Sequence, residues 1–250
     1  MQPDRHTTQP RHIVRGLARN LARNLAHLIA PPVCILCGGP GQSLDEPWGL
    51  DLCIHCEAAC PRAPPEPPPW QHAFCLFRYE DPVDLMIQRL KFQRDIAQAR
   101  VLGTLFARAW RAAGRDRPEC IVPMPLHRSR HVERGFCQTT LLARHIARRL
   151  GHQGRPLPVH NNLLLRVRAT RAQSGLDAAE RARNLKGAFA SPTGKRLPRH
   201  VALLDDVLTT GHTATAAIAA LHEAGVRRVD LWCCARALRL DGLDTAPAIN

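Results

Sequence analysis

Two groups of residues in this 250-residue chain have the types and spacing to do chemistry. The first is a cysteine quartet. Cys34 and Cys37 form one Cys-x-x-Cys pair, Cys53 and Cys56 a second, and fifteen residues separate the pairs. Two thiolates three positions apart can bite one metal from a tight turn, and two such turns complete a tetrahedral four-sulfur shell, the usual setting of structural zinc. Gly38, Gly39 and Gly41 supply flexible backbone just after the first pair. Four protein ligands leave no open position, so the expected Zn2+ is structural rather than catalytic. Cys60 is a nearby spare that could replace Cys56 in a shifted register. Two redox Cys-x-x-Cys motifs are the alternative, but the surrounding thioredoxin-like pattern is missing. The segment is too short to bury a useful core, and a metal could supply on the order of 10 kcal/mol of its folding free energy.

The second group is the run Asp205-Asp206-Val207-Leu208-Thr209-Thr210-Gly211-His212-Thr213, which follows the apolar stretch Val201 to Leu204 and precedes a helical pattern. In an open α/β sheet, ligands sit beyond the C-terminal ends of the strands. A turn from Thr209 to Thr213 can aim backbone N–H groups and hydroxyls at one phosphate, helped by the positive end of the following helix dipole. Gly211 lets backbone approach a phosphate closely. Two carboxylates repel phosphate, but they suit sugar hydroxyls or a divalent cation held by the ligand's oxygens. The combination describes a site for a sugar phosphate. It is not a nucleoside-triphosphate P-loop, because no Lys-Ser or Lys-Thr follows a glycine at the required spacing. His131-Val132-Glu133 matches the His-x-Glu half of a zinc deaminase, but no Pro-Cys-x-x-Cys follows it.

The elements that must position these groups follow from periodicity. Apolar residues at Leu17, Leu21, Leu25, Leu28 and Ile29 share one face of a helix, with Arg15, Arg19 and Arg23 elsewhere around it. That helix either packs on the body of the protein or lies on a membrane surface or partner. Pro31 and Pro32 end it. The spacing then predicts a tail and helix over 1–30, a zinc module over 31–62, a stiff proline-rich linker over 63–70, one larger domain over 71–240 and a tail over 241–250. Within the larger domain we expect strands at Ala73–Tyr79, Cys120–Met124, Leu163–Val167, Val201–Leu204 and Arg228–Ala235. Helices are expected at Val83–Phe92, Ala97–Ala113, Arg134–Leu150 and Thr213–Ala224. Strands alternating with helices argue for an α/β fold on a mostly parallel sheet. Cys75, Cys120, Cys137, Cys233 and Cys234 sit in apolar contexts and read as buried small hydrophobes.

Composition narrows the partners. The net charge is +14, and lysine occurs only at Lys91, Lys186 and Lys195, so arginine carries the rest. Such a field favours polyanions, and the planar guanidinium suits phosphate. No apolar run reaches the length of a membrane span, and no secretory signal pattern opens the chain, so a reducing cytoplasm is the expected setting, with peripheral membrane contact through the basic helix as the variant.

The run at Asp205–Thr213 resembles the motif by which type I phosphoribosyltransferases bind phosphoribosyl pyrophosphate (PRPP): four apolar residues, two acids, then Thr-Thr-Gly-x-Thr. The resemblance implies that Asp205 and Asp206 hold ribose hydroxyls and that Thr209, Thr210, Gly211, His212 and Thr213 hold the 5′-phosphate, with Mg2+ accompanying the ligand. It implies a pyrophosphate loop after the strand at Ile121, carried by Arg128 and Arg130, and a mobile lid with Thr170, Gln173, Arg181 and Asn184. More widely, from Pro31 to Arg236, the chain resembles the ComF family. The shared features are the Pro-Pro-x-Cys-x-x-Cys start, Leu90-Lys91-Phe92, the run Pro123 to Arg130, Arg134-Gly135-Phe136, Thr170-x-x-Gln173, Arg181-x-x-Asn184-Leu185 and the loop ending at Thr213. Cys137 departs from the asparagine usual after Arg-Gly-Phe. That resemblance implies a part in natural competence, with single-stranded DNA and the competence machinery as partners. It leaves open an active transferase that moves phosphoribose from PRPP to a nucleobase-like acceptor. Oxopurine-salvage relatives carry an acid where Thr209 stands, which argues against an oxopurine acceptor, and no general base is identified from the sequence.

Overall fold

The structure, a computed structural model, describes residues 31–43, 49–65, 72–127, 131–132, 134–152, 154–168, 185, 187–192 and 197–237. The expected N-terminal amphipathic helix, the proline-rich stretch from 66 onward, Arg128, Arg130, Thr170, Gln173, Arg181, Asn184 and the tail over 241–250 lie outside the described residues. Two units are compact in themselves, Met1–Ala59 and Cys60–Asn250.

The first unit is built from turns. Backbone bridges pair Val33 with Pro40 and Gln42 with Leu50. Gly38 takes a left-handed φ of 75°, which closes the turn after the first cysteine pair, and its N–H donates to Cys34 O at 2.9 Å. A single helical turn, α1 (Ile54–Ala58), follows, with Cys53 as its N-cap. The Gln42 amide ties the turns together by donating to Glu57 Oε2 at 2.8 Å and to Leu52 O at 3.0 Å.

The second unit runs β1 (Ala73–Arg78), α2 (Val83–Phe92), α3 (Ile96–Ala112), β2 (Cys120–Pro123), α4 (Gln138–Arg149), β3 (Leu165–Arg166), β4 (Phe189–Ala190), β5 (His200–Leu208), α5 (His212–Glu223) and β6 (Arg228–Arg236). Four strands form one sheet in the order β1-β6-β5-β2, every neighbour parallel. Parallel strands flanked by helices are the expected α/β class, and the layout is consistent with a phosphoribosyltransferase-like fold. Buried on both faces, β6 carries the continuous apolar run from Leu231 to Ala235. Trp232 packs against Phe106 and Trp110 of α3, with ring centroids 5.4 and 5.3 Å apart. Leu231 and Cys233, on the other face, join Leu203, Ile218 and Leu221 in a cluster around α5. At Gly103 of α3 an added Cβ would lie 2.7 Å from His145 Cβ, so α3 and α4 approach closely and α4 is held in a narrow range of positions.

Three elements differ from expectation. The predicted strand at Leu163–Val167 shrinks to Leu165–Arg166, pairs antiparallel with Phe189–Ala190, and forms a separate two-stranded sheet. The helix expected from Arg134 begins at Gln138, because Gly135 takes φ 76° and breaks the helical path. The strand expected to stop at Leu204 continues to Leu208, since Asp205, Val207 and Leu208 find partners at Cys233, Ala235 and Arg236 on β6. The two aspartates therefore lie within a strand, ahead of the turn.

Candidate functional site

The four cysteine sulfurs of the first unit lie within 4.8 Å of one another. A tetrahedral zinc with Zn–S bonds of about 2.3 Å sets its sulfurs about 3.8 Å apart, and Cys37 Sγ and Cys53 Sγ are 3.8 Å apart. Cys56 N–H donates to Cys53 Sγ at 3.3 Å. Burial works against ionisation of Cys34, but backbone N–H groups of Cys37, Cys53 and Leu36 bring its thiol down to about 6. Cys56 moves the other way, pushed up by its hydrogen bond with the Cys53 thiol, by burial and by the charge on Cys34. Four crowded thiols of which one ionises readily fit a divalent metal such as zinc. The register is the one expected, with Cys56 rather than Cys60 as the fourth member.

In the second unit, a cleft of about 320 Å³ opens at the C-terminal ends of the strands. Asp205, Asp206, Thr209 and Thr213 line it, together with Lys91, Met124, Arg134, Gln138, Thr139 and Arg166. Four of the seven residues expected to hold a sugar phosphate are thus brought to one cavity. Thr210, Gly211 and His212 form the turn behind it. Gly211 takes φ 77° as the N-cap of α5, and the His212 ring Nδ1 lies 2.8 Å from Thr210 Oγ1. Only glycine adopts that φ without strain, and it turns the chain from β5 into α5 within a few residues.

Because successive strand residues point to opposite faces, the adjacent aspartates meet different neighbours. Asp206 faces α2 and α4: Lys91 Nζ lies 2.8 Å from its Oδ1, and Gln138 Nε2 donates to its Oδ2 at 2.8 Å. Both carboxylate oxygens are engaged and the residue is buried. Asp205 sits level with Cys233 on the α5 side and accepts from the Asp206 N–H at 2.9 Å. Burial, then the charge of Asp206, pushes Asp205 up to about 7, against the opposing pull of Lys91 and Arg166. Asp206 is thus held by a donor on each oxygen, while burial favours the protonated form of Asp205.

Lys91 and Gln138 line the cleft and contact Asp206, and neither was assigned a site role from the sequence. Lys91 did carry a signal, being one of three lysines in an arginine-rich chain. A compact ammonium at the end of a flexible stem fits a narrow place beside one carboxylate oxygen better than a guanidinium fork does. Gln138 is 68 positions from Asp206 and carried none. Of the cysteines read as buried, Cys120, Cys233 and Cys234 are buried, and burial raises their thiols well above the ordinary range. Cys75 is only partly buried but packs against the apolar cluster around α5, whereas the partly buried Cys137 has its Sγ 3.0 Å from Thr139 Oγ1 at the cleft wall, so the apolar reading of Cys137 is corrected.

No protein-family profile matches the chain. Curated proteins do. Competence protein F of Haemophilus influenzae is 36% identical over 215 residues, covering 81% of this chain and 90% of that protein. DNA utilization protein YhgH of Escherichia coli K12 is 37% identical over 237 residues, covering 84% of this chain and 100% of that protein. YhgH of Salmonella typhimurium is 34% identical over the same length.

Proposed function

The chain belongs to the ComF family, and from that premise we propose that it binds phosphoribosyl pyrophosphate in the cleft beside Asp205 and takes part in the handling of incoming single-stranded DNA. The observation that carries the ligand is the asymmetry of the aspartate pair. A ribose diol needs an acceptor that is not already saturated, and Asp205 is that acceptor, while Lys91 and Gln138 hold Asp206. Thr209 and Thr213 line the same cleft at the start of α5, where hydroxyls and the helix dipole favour a 5′-phosphate. Lys91, Arg134 and Arg166 line the cleft too, and suit the pyrophosphate arm. Magnesium, when bound with the ligand, would neutralise part of the pyrophosphate charge. The DNA role is supported by relatives named for competence and DNA utilization and by the net charge of +14. Among the described residues no helix is long and apolar enough to cross a membrane.

The second reading, transfer of phosphoribose to a nucleobase-like acceptor, is favoured by one observation. Asp205 titrates near 7, where a carboxylate is best matched to take a proton from an acceptor nitrogen. Titration calorimetry with PRPP and magnesium tests the ligand, and binding that survives both Asp205→Asn and Asp206→Asn overturns the assignment of the cleft. Pyrophosphate release measured against a panel of bases separates the readings, since turnover with one base selects the transferase.

A further inference from the structure

Beside the cleft, on the surface of the same unit, is an aromatic group that neither the core nor the sugar-phosphate site uses. Phe92, the last residue of α2, is 70% exposed, although its neighbour Lys91 reaches inward to Asp206. A step of one residue turns about 100° around a helix, so one side chain enters the cleft while the next faces water. Val132 and Ile96 nearby in sequence to this surface are also exposed, at 74% and 62%. The guanidinium of Arg134 stacks over the Phe92 ring, 5.2 Å from its centroid, and Arg134 also lines the cleft.

Arg94 adds a second cation. Its backbone takes φ 56°, the left-handed region, at the position after a helix end where glycine is usual. The turn closes behind it, with Asp95 N–H donating to Arg89 O at 3.4 Å. The Arg94 guanidinium lies over Gly135, with Nη2 3.6 Å from where a Cβ on that residue would sit. The left-handed Arg94, two residues after the exposed Phe92, thus carries its guanidinium to the residue next to Arg134.

We propose that Phe92, flanked by Arg134 and Arg94, is a stacking platform for an unpaired base of single-stranded DNA at the rim of the cleft. This rests on the DNA-handling reading given above and adds the place and the chemistry. A base offers a π-face to the ring, and the phosphates on either side of it reach the two guanidinium groups. A free nucleobase has no phosphate to give the arginines. Duplex DNA keeps its base faces covered. An apolar protein partner would desolvate both guanidinium groups without pairing them. Because Lys91 and Phe92 are consecutive and Arg134 serves both places, DNA on the rim and a sugar phosphate in the cleft meet at shared residues.

The test uses the full chain and two fluorescent probes, a short oligothymidylate and an abasic strand of equal length, read by anisotropy at two salt concentrations. The wild type binds oligothymidylate tighter than the abasic strand, and Phe92→Ala lowers the first affinity by roughly five- to a hundredfold while leaving the second and the salt slope unchanged. Phe92→Trp restores the preference. Arg134→Ala weakens both strands and lowers the salt slope by about one. Phe92 is exposed, so an unchanged melting temperature for Phe92→Ala shows that the variant remains folded. A wild type that binds no strand sinks the DNA reading and the platform together. A wild type that binds, beside a Phe92→Ala variant that keeps the preference for bases, sinks the platform alone. Polyglutamate that displaces oligothymidylate from the wild type but not from Phe92→Ala would assign the surface to an acidic protein and overturn the proposal.

Discussion

The cysteine cluster and the aspartate pair face the same electrostatic problem and meet it in different ways. Each crowds groups that can carry negative charge: four sulfurs within 4.8 Å in one unit, two consecutive carboxylates in the other. The cysteine unit has few large side chains with which to hold its turns, and four sulfurs this close fit a metal whose binding would also supply folding free energy. The aspartates stand on a sheet already packed by Trp232, Phe106 and Leu203. There Lys91 and Gln138 neutralise and bond one carboxylate, and burial pushes the other toward its protonated form. A site that must never change its ligand saturates all its donors. Under the proposed ligand, the aspartate cleft keeps one acceptor in reserve, and that reserve is held at a cost in stability.

The sharpest way to break this comparison is to deprive the cysteine cluster of metal. Chelation, or Cys34→Ser, should cost the first unit on the order of 10 kcal/mol of local folding free energy. Hydrogen exchange over residues 49–58 should approach the unprotected rate while the amides of β5 and β6 stay protected. Metal analysis of the untreated protein should find one zinc per chain. Protection that persists after complete metal loss would make the cluster a thiol site rather than a folding ion.

A smaller effect separates the two aspartates. Asp206→Asn leaves the ammonium of Lys91 without its anion and should destabilise the protein by about 2 kcal/mol in urea unfolding. That is less than for a fully buried pair, because Lys91 keeps 18% of its side chain exposed. Asp205→Asn should move stability the other way. The folded protein holds the proton on Asp205 up to about 7, whereas an unfolded aspartic acid releases it near 3.8. Stability from this group is therefore full below that lower value and is lost as pH rises through 7. At pH 8 the wild type carries that penalty and the asparagine variant does not, so Asp205→Asn should gain about 1–2 kcal/mol while losing PRPP. Two variants that shift stability in the same direction would erase the distinction between a fully engaged carboxylate and a reserve acceptor.

The mildest test is a pH series. If the ionised form of Asp205 accepts from the ribose hydroxyls, affinity for PRPP should rise about tenfold between pH 6 and pH 8, following a group with a midpoint near 7. Inorganic pyrophosphate, which has no hydroxyls, controls for ionisation of the ligand and should not show that rise. A flat profile for PRPP would place the diol elsewhere.

The sequence alone determined what depends on local spacing. Two Cys-x-x-Cys turns carry their own geometry, and the four cysteines expected to meet do meet. The strand, turn and helix around Gly211 follow from apolar runs and one residue able to take a left-handed φ. Tertiary structure decided everything that depends on which strands are neighbours. Leu163–Val167 reads as a strand by composition, yet only two of its residues pair, and they pair outside the main sheet. The partnership with β6 extends β5 past Leu204 and so sends Asp205 and Asp206 to opposite faces. Lys91 and Gln138 reach Asp206 from helices far away in sequence. A turn or a metal knuckle is encoded within a few residues. The charge state of a carboxylate is set by whatever packs against it, and that is known only once the chain has folded.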